Sequence, residues 1–176
     1  MGSNLGDRQA ALRQGLRELA ARGVEIRRVS SVYETDPVGF LDQGSFLNLA
    51  VEVSWQGTLD ELLEHCLAAE QALGRLRYLK DGPRTLDIDI LLAGGRMVRA
   101  GRLEIPHARM HLRRFVLVPL EEIAAQAIHP IMRLSVQELL AICPDNSGVR
   151  KVGEMSAVEP LDPSGYNPAA SRDKEV

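Results

Sequence analysis

Apolar and polar positions alternate along residues 85–92. Leu86, Ile88, Ile90 and Leu92 fall on one side; Thr85, Asp87, Asp89 and Leu91 fall on the other. A period of two predicts a strand. Side chains at i and i+2 share a face, with Cα atoms roughly 6–7 Å apart, so Asp87 and Asp89 project together. Upstream, Leu12, Leu16 and Leu19 form a helical stripe over 7–22, entered from Gly2-Ser3-Asn4-Leu5-Gly6 and closed by Gly23. Residues 24–33 read as a strand. A loop over 34–44 carries Pro37, Gly39 and Gly44. Residues 46–55 read as a further strand, with Leu47, Leu49, Val51 and Val53 on one face and Phe46, Asn48, Ala50 and Glu52 on the other. Thr58-x-x-Glu61 is a capping box. It opens a helix with Leu59, Leu62, Leu63, Cys66, Leu67 and Leu73 as its core stripe, stopped by Gly74. A basic loop covers 75–84. Gly94-Gly95 signals a hairpin, with Met97-Val98 as a short return strand. A helix is expected over 108–118, and Ser135-x-x-Glu138 caps a last short one. From Asp145 the periodicity stops, which predicts a flexible tail over 145–176.

With a strand supplied ahead of Gly2, the order is βαββαβ. That is an α+β, ferredoxin-like sandwich with added helices, its first strand missing from this chain. A length of 176 residues suits one ordinary domain. The net charge of −3 disfavours a general nucleic-acid binder. The strands also lack the clustered aromatics of an RNA-binding module. Charge is distributed unevenly. Arg75, Arg77, Lys80 and Arg84 precede the aspartates, and Arg96, Arg99, Arg102, Arg109, Arg113 and Arg114 follow, with His107 and His111 among them. A bare Asp-x-Asp is more often a pair of solvent-facing acids. Surrounded by cations, it suits a small anion together with a hard divalent ion such as Mg²⁺. Cys66 and Cys143 have neither disulfide-framework nor zinc spacing. The sequence shows no signal peptide and no membrane-length apolar run, so the cytoplasm is the expected location.

Several short motifs occur in order: Gly2-Ser3-Asn4-Leu5-Gly6, Ser31-Val32-Tyr33-Glu34-Thr35, Phe46-Leu47-Asn48, Gly82-Pro83-Arg84-Thr85-Leu86-Asp87-Ile88-Asp89-Ile90 and Pro106-His107. Together they resemble the 6-hydroxymethyl-7,8-dihydropterin pyrophosphokinases of folate biosynthesis, over residues 2–142. The resemblance implies a catalytic domain over 1–144 that moves the terminal pyrophosphate of ATP to the hydroxymethyl oxygen of a reduced pterin, releasing AMP. It implies Asp87 and Asp89 as ligands of two Mg²⁺ ions. It places Arg75, Arg84, His107 and Arg113 on the nucleotide phosphates, Arg77 as a further nucleotide contact and Ile90 at the adenine. The catalytic set it implies is Arg75, Arg84, Asp87 and Asp89. By the same resemblance Phe46 and Phe115 are expected to sandwich the pterin, and Asn48 to read its edge. Thr35, Asp36 and Val38 offer backbone groups from the loop, and Glu70 matches a position near the substrate. Three positions depart from the family: Asp81 where many members place an aromatic, Tyr78 where a basic residue is common, and Ala108 where tyrosine is common. The implied partners are ATP and the pterin, with no nucleic acid and no membrane. The sequence sets no oligomeric state, and a monomer is favoured. The alternative is a non-catalytic relative that binds only nucleotide or pterin.

Overall fold

Two faces of an antiparallel sheet system carry two separate apolar cores. The computed structural model describes residues 1–37, 42–74 and 82–155. In chain order the elements are β1 (Gly2–Ser3), α1 (Arg8–Ala21), β2 (Glu25–Val29), β3 (Val32–Thr35), β4 (Phe46–Asn48), β5 (Val51–Ser54) and α2 (Leu59–Ala72). Then follow β6 (Val98–Ala100), β7 (Leu103–Ile105), a 3₁₀ turn (Met110–Leu112), α3 (Arg114–Ala124), α4 (Val136–Ala141) and β8 (Val149–Gly153). The main sheet runs β1-β4-β3-β8, every pairing antiparallel. β2 and β5 pair as a second antiparallel ladder, and β6 and β7 as a third. The fold is α+β.

The alternation read over 46–53 decides the layering. Leu47 and Leu49 pack with Leu12, Leu16, Leu62 and Cys66, so α1 and α2 cover one face. Ala50 joins Leu117, Leu120, Ile123, Val136 and Leu139, so α3 and α4 cover the other. Local signals fix the helix ends. Asp7 Oδ1 accepts from the Ala10 N–H at 2.9 Å, and the capping boxes at Thr58 and Ser135 are both formed.

Several expectations need correction. The strands expected over 24–33 and 46–55 are each split. Ser30 Oγ accepts from the Ala50 N–H at 2.9 Å, and the Ser31 N–H turns to Glu122 Oε2 at 3.0 Å, so the ladder is interrupted there. The strand expected over 85–92 is reduced to one bridge, Gly2 with Asp87, because β1 offers only two residues as partner. The hairpin turn lies at Gly101, not Gly94-Gly95: Ala100 pairs with Leu103 across a two-residue turn, and buried Leu103 and Ile105 anchor it. The helix expected over 108–118 starts later. Arg113 is extended (φ −128°), and the Arg114 N–H is capped from a distance by Asp145 Oδ2 at 2.8 Å. Of the tail expected over 145–176, residues 156–176 lie outside the described residues, and the part before them holds a strand. β8 pairs with β3 and closes that sheet, and Arg150 reaches Glu34 at 2.5 Å. Its charged residues gave no hydrophobic period, as befits an edge strand.

Candidate active site

On the α3 side of the sheet, β4 turns Phe46 and Asn48 into a cavity of about 210 Å³. Asn48 is buried, and its Nδ2 donates to Thr35 Oγ1 of β3 at 2.8 Å. That bond aims the amide oxygen toward β1, where Gly2 is its register partner. A Cβ on Gly2 would lie 2.5 Å from Asn48 Oδ1, so this close approach requires glycine. Phe115, in the first turn of α3, brings a second ring to the same cavity. Each ring carries a guanidinium. Arg84 lies 5.4 Å from the Phe46 centroid, and Arg113 lies 5.5 Å from that of Phe115. Two aromatic walls with an amide edge suit a flat heterocycle, which needs stacking and in-plane hydrogen bonds.

The acidic side is built on the 84–89 segment. Leu86 and Ile88 are buried in the core beneath α1 and α2, while Asp87 and Asp89 line the cavity. Asp87 exchanges backbone bonds with Gly2 at 2.8 and 2.9 Å. The Arg84 N–H donates to Asn4 Oδ1 at 2.8 Å, and the Asn4 N–H donates to the Arg84 carbonyl at 3.1 Å. Asn4 Nδ2 also donates to Gln43 Oε1 at 2.9 Å, so one side chain ties the 42–44 loop to Arg84. Arg84 Nη1 in turn donates to Asp87 Oδ2 at 2.8 Å. Across the cavity the His107 N–H is held by the Leu91 carbonyl at 2.9 Å. Its Nδ1 accepts from the Arg109 N–H at 3.2 Å, which leaves Nε2 to carry the proton of the neutral ring. Burial pushes this imidazole below its ordinary value of 6.5; Arg113 and Arg109 push the same way, and Asp89 opposes them.

The cavity thus gathers Arg84, Arg109, Arg113 and His107 against Asp87 and Asp89, with Asp36 also in its lining. Among the described residues, no three His, Cys, Asp or Glu side chains group to hold a metal alone. Two carboxylates fit Mg²⁺, which is usually held by one or two carboxylates with substrate phosphates and water completing the shell. The donor set therefore fits a metal that arrives with a polyphosphate.

A family model described as 7,8-dihydro-6-hydroxymethylpterin-pyrophosphokinase matches residues 1–125. The chain belongs to this pyrophosphokinase family. It is 42% identical over 160 residues to the 2-amino-4-hydroxy-6-hydroxymethyldihydropteridine pyrophosphokinase of Bacillus subtilis (strain 168), covering 90% of this chain and 91% of that protein. The protein of the same name in Methylorubrum extorquens is 44% identical over 153 residues, covering 86% of this chain and 95% of that one. In Pneumocystis carinii the folic acid synthesis protein fol1 is 34% identical over 136 residues, covering 77% of this chain but only 18% of that longer protein.

The residues singled out by likeness to the pyrophosphokinase family distribute as follows. Thr35, Asp36, Phe46, Asn48, Arg84, Asp87, Asp89, His107, Arg113 and Phe115 line the one cavity. Ile90 does not line it and packs against the α1/α2 core. Val38, Arg75 and Arg77 lie outside the described residues. Sequence reasoning missed Gly2 and Arg109 as lining residues. Arg109 had a signal, since it stands in the basic run after Pro106-His107. Gly2 opens one of the motifs that carry the resemblance, but only its register with Asn48 shows why glycine is needed there.

Proposed function

We propose that the chain transfers the terminal pyrophosphate of ATP to the hydroxymethyl oxygen of 6-hydroxymethyl-7,8-dihydropterin, releasing AMP, as a step of folate biosynthesis. The observation that carries this reading is a cavity lined by both kinds of group: Phe46, Asn48 and Phe115 suit a flat ring, and Arg84, His107 and Arg113 suit phosphate, beside Asp87 and Asp89. The names borne by the family model and by the bacterial relatives support it. A purely binding relative is disfavoured because both kinds of group line one space. In this reading the layout is ferredoxin-like, with β1 supplying two residues of the first strand. The chain acts in the cytoplasm on small molecules, as a monomer and without nucleic acid. Among the described residues no helix is long and apolar enough to cross a membrane.

The pterin stacks between Phe46 and Phe115, with Asn48 and the Thr35–Asp36 backbone at its edge. Arg84, Arg113 and the His107 Nε2–H bind the triphosphate, a role that likeness to the family also gives to Arg75 and Arg77, as it gives Val38 a pterin contact. The hydroxymethyl oxygen bonds to the β-phosphorus as the bond from that atom to the α,β-bridging oxygen breaks. AMP leaves with the electron pair, and the hydroxyl proton passes to solvent. Charge grows on the leaving phosphate, so cations fixed beforehand stabilise the transition state more than the ground state. Asp87 and Asp89 are the residues that would hold two Mg²⁺ ions, which supply charge neutralisation at the phosphate oxygens when bound. Purified protein should form AMP only when ATP, Mg²⁺ and the reduced pterin are all present, and folded protein making none in that mixture refutes the proposal. Asp87→Ala and Asp89→Ala should each lower turnover by more than about 100-fold with the fold intact.

A further inference from the structure

We infer that Glu70 is a positioning residue for the Asp87/Asp89 pair, its buried carboxylate fixing the backbone between them. The inference rests on the pyrophosphokinase reading above and adds to it a residue outside the cavity lining. Glu70 lies in the last turn of α2 and is only 2% exposed. Its Oε1 accepts from the Ile88 N–H at 2.8 Å. The neighbouring residue, Asp87, directs both its N–H and its carbonyl to Gly2. On an extended chain successive peptide groups face opposite edges, so the Ile88 N–H faces away from Gly2. On that edge the Glu70 carboxylate takes the place a neighbouring strand would fill.

Three contacts therefore clamp one residue and its neighbour. Gly2 holds the Asp87 peptide, Glu70 holds the Ile88 amide, and the Ile88 side chain is buried in the α1/α2 core. Both aspartate side chains leave from this clamped stretch. Burying a carboxylate is costly unless it is hydrogen-bonded, and α2 surrounds Glu70 with buried Cys66 and Ala69. A leucine there would serve packing alone. A carboxylate serves the amide.

Glu70→Gln keeps an acceptor at the same reach, whereas Glu70→Asp keeps the charge but withdraws the oxygen by one methylene. Outer contacts that orient metal ligands typically change affinity or activity by about 10- to 100-fold when removed. Glu70→Asp should raise the half-saturating Mg²⁺ concentration by about that factor, leave the KM for the pterin unchanged, and speed hydrogen exchange at the Ile88 amide. Glu70→Gln should stay within about threefold of wild type on all three measures. Calorimetric titration of Mg²⁺ with α,β-methylene ATP supplies a readout without turnover, and Glu70→Asp should bind this pair more weakly. An unchanged Mg²⁺ response in Glu70→Asp, an equal rise in pterin KM, or a larger defect in Glu70→Gln than in Glu70→Asp would each overturn the inference. A wild-type chain that makes no AMP, while Glu70→Asp still loses the calorimetric binding and the Ile88 protection, refutes the function and leaves the positioning role standing.

Discussion

A methyl group on Gly2 would sit 2.5 Å from Asn48 Oδ1, inside any real contact distance. Asn48 is poorly placed to yield, because it is buried and tied by Nδ2 to Thr35 at 2.8 Å. Gly2→Ala should therefore turn the amide that we propose reads the pterin edge while leaving Arg84 and His107 where they are. Small displacements of positioning groups can cost up to about 100-fold, so we expect the KM for the pterin to rise at least about tenfold with the KM for ATP little changed. Steady-state kinetics with each substrate varied in turn checks the split, and a matched rise in both constants would show general damage instead. Asn48 itself was legible, since the alternation over 46–52 put it beside Phe46 on the face away from the leucines. Its glycine partner was not. A residue that matters by having no side chain leaves no chemical trace until the register of β1 against β4 brings it to Asn48. The aspartates were legible as a pair, but Arg84 stacked on Phe46 and bonded to Asp87 joins the two halves of the site in a way that spacing does not show.

The elements are held by two kinds of instruction, and only one of them is local. The capping boxes at Thr58 and Ser135 need four consecutive residues each, and both formed as read. β8 and the start of α3 depend on distant partners. β8 is defined by backbone pairing with β3, and α3 opens where Asp145 caps Arg114. The seat of the 84–89 segment on α1 is of this second kind. Gly15 is buried in mid-helix, where glycine costs up to about 1 kcal/mol relative to alanine. An added Cβ would meet Leu86 Cδ2 at 2.8 Å and Met1 Cε at 2.6 Å. Leu86 is fully buried, so the overlap must be relieved within a packed core. We expect overpacking, typically about 1–3 kcal/mol, to exceed the gain in helix propensity. Gly15→Ala should lower the urea midpoint; a higher midpoint would mean that Leu86 moves aside and that α1 does not seat the aspartate segment closely.

Across the whole molecule, α3 is latched to the sheet through Glu122. Its carboxylate accepts from the Ser31 N–H at 3.0 Å, the Ser31 hydroxyl at 2.7 Å and the Tyr33 hydroxyl at 2.8 Å. This latch closes the layer that carries Phe115 over the sheet that carries Asn48, so its titration bears on the cavity as well as on the fold. Burial pushes the Glu122 carboxyl up, but the bonds from Ser31 and Tyr33 outweigh it and hold the group below its ordinary 4.5. A depressed folded value means that this stabilisation is complete above 4.5 and is lost as pH falls through the folded value. Tyr33 has the opposite sign. Burial first, then the bond to Glu122, pushes its phenol from 10.0 up to about 12, so its contribution is complete below 10.0 and lost as pH rises toward 12. His129, in the same layer, is held below 6.5 by burial and by His111 beside it, so its contribution is complete above 6.5 and fades as pH falls through its folded value. The contributions of these three groups to thermal stability should therefore be complete between about pH 6.5 and 10 and fall on both sides. In Glu122→Gln the carboxylate titration is gone and the phenol loses one of the causes of its upward shift. The acid limb should become shallower, and the alkaline fall, which starts near 10.0 in both proteins, should be smaller and end at a lower pH in the variant. Circular dichroism melts of both proteins from acid to alkaline pH read the two limbs directly. If the variant kept both limbs unchanged, the pH response would belong to other groups, and Glu122 would not couple the α3 layer to the sheet.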